Sequence, residues 1–148
     1  LNVDAYIPEY YIKNEYQKLD IYKRIAAIQT PEDAADVLDE LIDRYGDPPP
    51  SVSDLVNVSL VRVQASAVGV TEVTQKKDTL TLQLESLDLP MIRGLLVAFN
   101  GRVVTGAGAK PYLSVTLQKE EKPLELLQSI LKAMAEILNG GEKAKDSK

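Results

Sequence analysis

The sequence predicts an α+β fold, with an N-terminal three-helix segment followed by a ββαββα segment whose antiparallel sheet is covered by helices. Two observations carry that prediction. As far as Val68 the apolar residues recur with the 3.6-residue period of a helix, and from Val70 onward they alternate with the period of a strand. The strand-like runs are joined as hairpins rather than through regular βαβ crossovers, so they pair antiparallel. The reading places a single α+β domain at 1–139, made of an extended arm at 1–13, a helical part at 14–69 and the ββαββα part at 70–139, with a disordered tail at 140–148.

In the arm, Val3, Ala5 and Ile7 alternate and Pro8 forbids a helix, which suggests an edge strand. Asn14 caps a helix running to about Ile28, with Leu19, Tyr22, Ile25, Ala26 and Ile28 on its apolar face. Thr30-Pro31-Glu32-Asp33 restarts a helix with a threonine cap, a proline in the first turn and early acids. Its stripe is Ala34, Val37, Leu38, Leu41, Ile42 and Tyr45, and Gly46 with the following prolines ends it. A third helix starts near Ser51 or Ser53, presents Val52, Leu55, Val56 and Val63, and stops at Gly69.

The runs Val70 to Gln75 and Thr79 to Leu84 flank Lys76-Lys77-Asp78 as a hairpin with Leu80, Leu82 and Leu84 inward. Asp88 caps a short helix carrying Met91, Ile92, Leu95, Leu96 and Phe99. Strands at Arg102 to Thr105 and Tyr112 to Leu117 follow. Pro123 opens a last helix whose face is Leu124, Leu127, Leu131, Met134 and Leu138, halted at Asn139-Gly140-Gly141.

The 148 residues include no histidine, cysteine or tryptophan. Imidazole acid/base relays, thiolate nucleophiles, disulfides and histidine or cysteine zinc sites are thereby excluded. No run approaches a membrane span and the start lacks a signal peptide's basic and apolar regions, so a cytoplasmic setting away from membranes is expected. The first residue is Leu1 rather than methionine, and the chain is expected to be a fragment of something larger.

Net charge is −5, but unevenly spread: residues 1–68 hold six basic and twelve acidic side chains, residues 69–148 eleven basic and ten acidic. An acidic half repels nucleic acid and favours a basic protein partner. Within it, Glu32, Asp36, Asp39, Glu40 and Asp43 gather on the solvent side of the second helix as a candidate partner-docking face. One helix face does not enclose a cation, and paired-carboxylate hydrolysis needs two carboxyls across a cleft, so neither a metal site nor a catalytic pair is assigned. Gly101-Arg102-Val103-Val104-Thr105-Gly106 has P-loop glycine spacing, yet Ala107 sits where the lysine belongs, Lys110 comes three residues late, and a strand follows instead of a helix. Gly106-Ala107-Gly108 likewise fails as a dinucleotide fingerprint at Pro111. No cofactor is expected. Tyr6, Tyr10, Tyr11, Tyr16 and Tyr22 crowd the first 22 residues, and acids cancel the neighbouring lysines, so an interface is favoured over nucleic acid.

Tyr22-Lys23-Arg24-Ile25-Ala26, then Glu40-Leu41-Ile42-Asp43-Arg44-Tyr45-Gly46, then prolines and a helix ending at Gly69-Val70, resemble the C-terminal domain of bacterial transcription-repair coupling factor (Mfd). Tyr6-Ile7-Pro8 and Tyr11-Ile12 resemble the family's lead-in to that domain, so the resemblance covers residues 4–70 and beyond that rests on element order. It implies a non-catalytic, autoinhibitory domain of a DNA-repair translocase whose ATP-dependent motor lies elsewhere in the parent. The domain would dock on the N-terminal UvrB-like module of its own chain, masking the UvrA-recruiting surface, and reach UvrA and RNA polymerase only through the parent, without touching nucleic acid itself. Among the motif residues, Tyr22, Lys23, Arg24, Ile25, Arg44 and Gly46 are assigned to the fold, Gly46 as helix stop and Arg44 as a partner of the helix dipole. The competing readings are a free-standing interaction or dimerisation module, a carboxylate enzyme and a direct DNA binder.

Overall fold

A computed structural model describes residues 5–86, 88–106 and 110–146, with five helices and a four-stranded sheet among them. The helices are α1 (Glu15–Ala26), α2 (Pro31–Tyr45), α3 (Pro50–Ala67), α4 (Leu89–Ala98) and α5 (Pro123–Asp146); the strands are β1 (Val70–Lys76), β2 (Thr79–Leu84), β3 (Val103–Gly106) and β4 (Tyr112–Thr116). The α+β architecture is the expected one. The chain divides into two compact units, Val3–Val63 and Gln64–Lys148, with the division inside α3.

In the first unit Asn14 caps α1, its side chain accepting from the Gln17 N–H at 3.0 Å. The core is made by Ile21 and Ile25 of α1, Ile28 after it, Val37 and Leu41 of α2, and Val52 and Val56 of α3. The face chosen for α1 is therefore corrected. Leu19 is 54% exposed and Ala26 is exposed, because Ile21 and Ile25 of the helix, with Ile28 just past its end, make the stripe that meets the core. The arm is corrected too. Its described residues form no strand; they turn at 9–11 and bury Ile7 and Ile12, while the Tyr6 N–H donates to the Ser51 carbonyl at 3.2 Å. An arm carrying two isoleucines gains more from burying them, roughly 1.5–3 kcal/mol each, than from lying along a sheet edge.

In the second unit the sheet order is β1-β2-β4-β3, antiparallel throughout. Leu80 faces Val115, Leu82 faces Leu113, and Val103 also pairs with Val115, so the buried side chains of three strands share one face. Opposite runs the polar row Thr74, Thr81, Ser114. Helix α4 buries Met91, Ile92 and Leu95 and packs on β3 and on α5. Helix α5 buries Leu124, Leu126, Leu127, Ile130, Leu131 and Met134, a wider face than the predicted one, and Leu138 stands at 36% exposure. The expected stop at Gly140-Gly141 and the disordered tail are replaced by helix as far as Asp146. Two glycines cost a helix about 1 kcal/mol each, and the surrounding Glu142, Lys143, Ala144 and Lys145 are good helix formers. Residues 147–148 lie outside the described residues.

Candidate docking face on the second helix

Helix α2 is fixed at both ends. The Thr30 hydroxyl oxygen accepts from the Asp33 N–H at 3.0 Å, satisfying a donor of the first turn, while the Asp33 carboxylate accepts from the N–H of Gln29, just before the cap, at 3.0 Å. At the other end Gly46 takes φ +83°, a region that side chains with a Cβ avoid, and its N–H reaches the Ile42 carbonyl at 3.0 Å. Ala34, Val37 and Leu41 face the core, which fixes the rotation of the helix.

That rotation sends Glu32, Asp36, Asp39 and Asp43 to solvent, spaced four, three and four residues apart, so they form one stripe along the helix. Glu40 leaves the stripe: it is half-buried and paired with the Arg24 guanidinium of α1. The structure thus keeps four of the five predicted carboxylates together and turns the fifth toward its own unit. Ile42, read from the sequence as core, is 44% exposed and borders the acids. Its place on the edge of the apolar arc, one residue from Leu41, accounts for the difference.

The motif residues have local partners. The Tyr22 hydroxyl accepts from the Ile7 N–H at 2.9 Å, pinning the arm, and Ile25 is 2% exposed. Arg24 holds Glu40, and the Arg44 guanidinium lies 5.0 Å from the centre of the Tyr45 ring. Lys23 is exposed. The Gly46 carbonyl accepts from the Tyr11 hydroxyl at 2.7 Å, and the Tyr11 and Tyr45 rings stand 5.8 Å apart. Burial first, and then the nearby Asp47 carboxylate, raise the Tyr11 phenol above its ordinary value. Of the tyrosines read as an interface, Tyr6, Tyr10 and Tyr16 are exposed, whereas Tyr11 and Tyr22 are hydrogen-bonded inside their unit.

Sequence reasoning missed one polar constellation. Arg102, just before β3, donates through both Nη atoms to the Glu121 carboxylate at 2.6 and 3.3 Å and to the Thr116 carbonyl at 2.8 Å. The Arg102 hydrogen bonds, with help from the Gln118 N–H, hold the Glu121 carboxyl below its ordinary range. Nineteen residues separate the pair, so no spacing rule announces it. Residues 103–106 of the glycine-bounded stretch form β3, and 107–109 lie outside the described residues. No group of three acids among the described residues is arranged to hold a metal ion, and no helix among them is long and apolar enough to cross a membrane.

The model of the TRCF domain family matches residues 1–91 of the chain. The chain belongs to the transcription-repair coupling factor family. The transcription-repair-coupling factor of Staphylococcus aureus (strain USA300) is 31% identical to it over 148 residues, covering 97% of this chain and 13% of that protein. The factor of Staphylococcus haemolyticus (strain JCSC1435) is 30% identical over 138 residues, covering 90% of this chain and 12% of that protein. A solved crystal structure of the C-terminal domain of transcription-repair coupling factor superposes with a TM-score of 0.77 at 30% identity, over 93% of this chain and 90% of that one. The fold is that of the C-terminal domain of transcription-repair coupling factor, and the chain spans 13% of the length of the first of these relatives.

Proposed function

We propose that this C-terminal domain is a non-catalytic, autoinhibitory part of a DNA-repair translocase that couples transcription to nucleotide excision repair in the cytoplasm. It docks on the N-terminal UvrB-like module of its own chain and covers the surface that recruits UvrA. The observation that supports this reading is the exposed stripe Glu32, Asp36, Asp39 and Asp43 on a helix whose opposite side buries Ala34, Val37 and Leu41 in its own core. An autoinhibitory contact must open for only a few kcal/mol, which a polar, charge-complementary interface of modest area allows and a large apolar one does not. The domain itself needs no cofactor and touches no nucleic acid: ATP is spent by the motor of the parent, and UvrA and RNA polymerase are engaged through the parent.

Adding the N-terminal module in trans tests the reading. Binding that weakens steeply with salt and is lost in the triple variant Asp36→Lys, Asp39→Lys, Asp43→Lys is the expected result, together with a raised ATPase when the same changes are made in the parent. Absence of binding at low salt overturns it.

A further inference from the structure

The end of the sheet where β1 turns into β2 collects the opposite charge. The Asp78 carbonyl accepts from the Leu117 N–H, and Thr79 pairs with Thr116, which brings the hairpin turn beside the segment leading from β4 to α5. Lys76 and Lys77 project from the turn and Lys119 and Lys122 from that segment, all four exposed. Arg102 braces the same end through Glu121 and the Thr116 carbonyl, so its guanidinium and the Glu121 carboxylate satisfy each other. Four lysines therefore stand against three exposed acids, Asp78, Glu120 and, in the first turn of α5, Glu125.

We infer that this lysine-rich sheet end receives the acidic stripe of α2 from a second copy of the chain. Both halves of the match are exposed: four carboxylates in a row, followed by the exposed cation Arg44, and four ammonium groups interspersed with three carboxylates. A second copy fits better than a nucleic acid. Asp78 and Glu120 repel a continuous phosphate backbone but can face Arg44, and the first half of any copy brings a net charge of −6 to meet the lysines. Because the two surfaces differ, two copies either exchange both contacts in a closed pair or use one contact and leave a stripe and a lysine end for further copies. Such a contact is weak and screened, and it shows itself at an ionic strength where the Debye length is roughly 20 Å or more.

The stripe serves only one of the two contacts at a time, so the inference is tested on the 148-residue chain alone, without the N-terminal module, by sedimentation. At low salt and high chain concentration the weight-average mass should rise toward about twice the single-chain value or beyond, and fall back near 0.5 M salt. The variant K76E/K77E/K119E/K122E should stay single at every salt concentration, as should D36K/D39K/D43K, whereas the chain carrying both sets should associate again. Urea unfolding of each variant shows whether it is folded. A wild-type chain that stays single at low salt, or association that survives either charge reversal, overturns the inference, and a low-salt complex with a DNA duplex that the lysine variant loses assigns the sheet end to nucleic acid instead. Binding of the N-terminal module by the lysine variant, whose α2 stripe is intact, separates failure of this inference from failure of the autoinhibitory reading.

Discussion

The Tyr11 hydroxyl donates to the Gly46 carbonyl at 2.7 Å and also lies 3.3 Å from the Leu41 carbonyl. A side chain of the arm thereby serves the end of α2, where the last carbonyls of a helix lack partners within it. Removing that hydroxyl in Tyr11→Phe keeps the ring beside Tyr45 and should lower stability by about 1 kcal/mol, seen as a lower urea midpoint at unchanged slope. Its pH signature is also defined. The phenol is raised in the folded chain above its ordinary value of about 10, so the unfolded chain ionises first, and the contribution is present below about pH 10 and lost as pH rises through the folded value. Tyr11→Phe should therefore flatten the loss of stability above that pH, and an unchanged alkaline limb counts against the assignment.

Glu121 gives the opposite limb. Arg102 lowers its carboxyl below the ordinary value of about 4.5, so its contribution is present above about pH 4.5 and disappears as pH falls through the lowered folded value. Glu121→Gln should remove that part of the acid dependence, with a loss at neutral pH of at most about 1 kcal/mol because the pair is solvent-screened. Arg102→Lys should resemble it, since an ammonium cannot reproduce the forked hydrogen bonds. Stability measured in urea from pH 3 to 7 decides it.

Helices α4 and α5 meet at Gly94, where an added Cβ would lie 2.6 Å from the Ile137 Cδ1. Gly94→Leu asks for space the α5 side chain already occupies and should cost roughly 1–3 kcal/mol. Combined with Ile137→Ala, much of that cost should vanish, because the second change vacates the contested volume. A double-mutant cycle with no coupling between the two positions would falsify this packing.

What the sequence could reveal follows the range of each interaction. Helix α2 was legible at both ends because Thr30-Pro31, Asp33 and Gly46 act on their own backbone within a turn. The hairpin of β1 and β2 was legible because Leu80 and Leu82 alternate with threonines. Helix α1 offers two apolar stripes that share Ile25 and, just past its end, Ile28, one with Leu19 and Tyr22 and the other with Ile21, and periodicity alone cannot choose which one meets a core built from α2 and α3. Nor does local pattern reveal that Ile7 and Ile12 fold inward under the Tyr22 hydroxyl, or that Arg102 finds Glu121. The acidic stripe was legible as a face, but the loss of Glu40 to Arg24 depends on how α1 lies beside α2.

That loss divides the acids into two kinds with opposite effects on stability. Glu40→Gln removes the partner of a half-buried guanidinium and should lower the urea midpoint, by up to about 1 kcal/mol in stability. Asp36, Asp39 and Asp43 instead repel one another at spacings of three and four residues, and aspartate is a poor residue for a helix interior. Replacing any of the three with glutamine should raise stability by about 0.2–0.5 kcal/mol at low salt, with much of the gain disappearing near 1 M salt, where the repulsion is already screened. The same substitutions should weaken binding of the N-terminal module. The docking reading requires both changes from the same substitution, so the two measurements belong together. If Asp39→Gln stabilises the chain and leaves binding unchanged, the stripe is ordinary solvated surface and the docking face lies elsewhere.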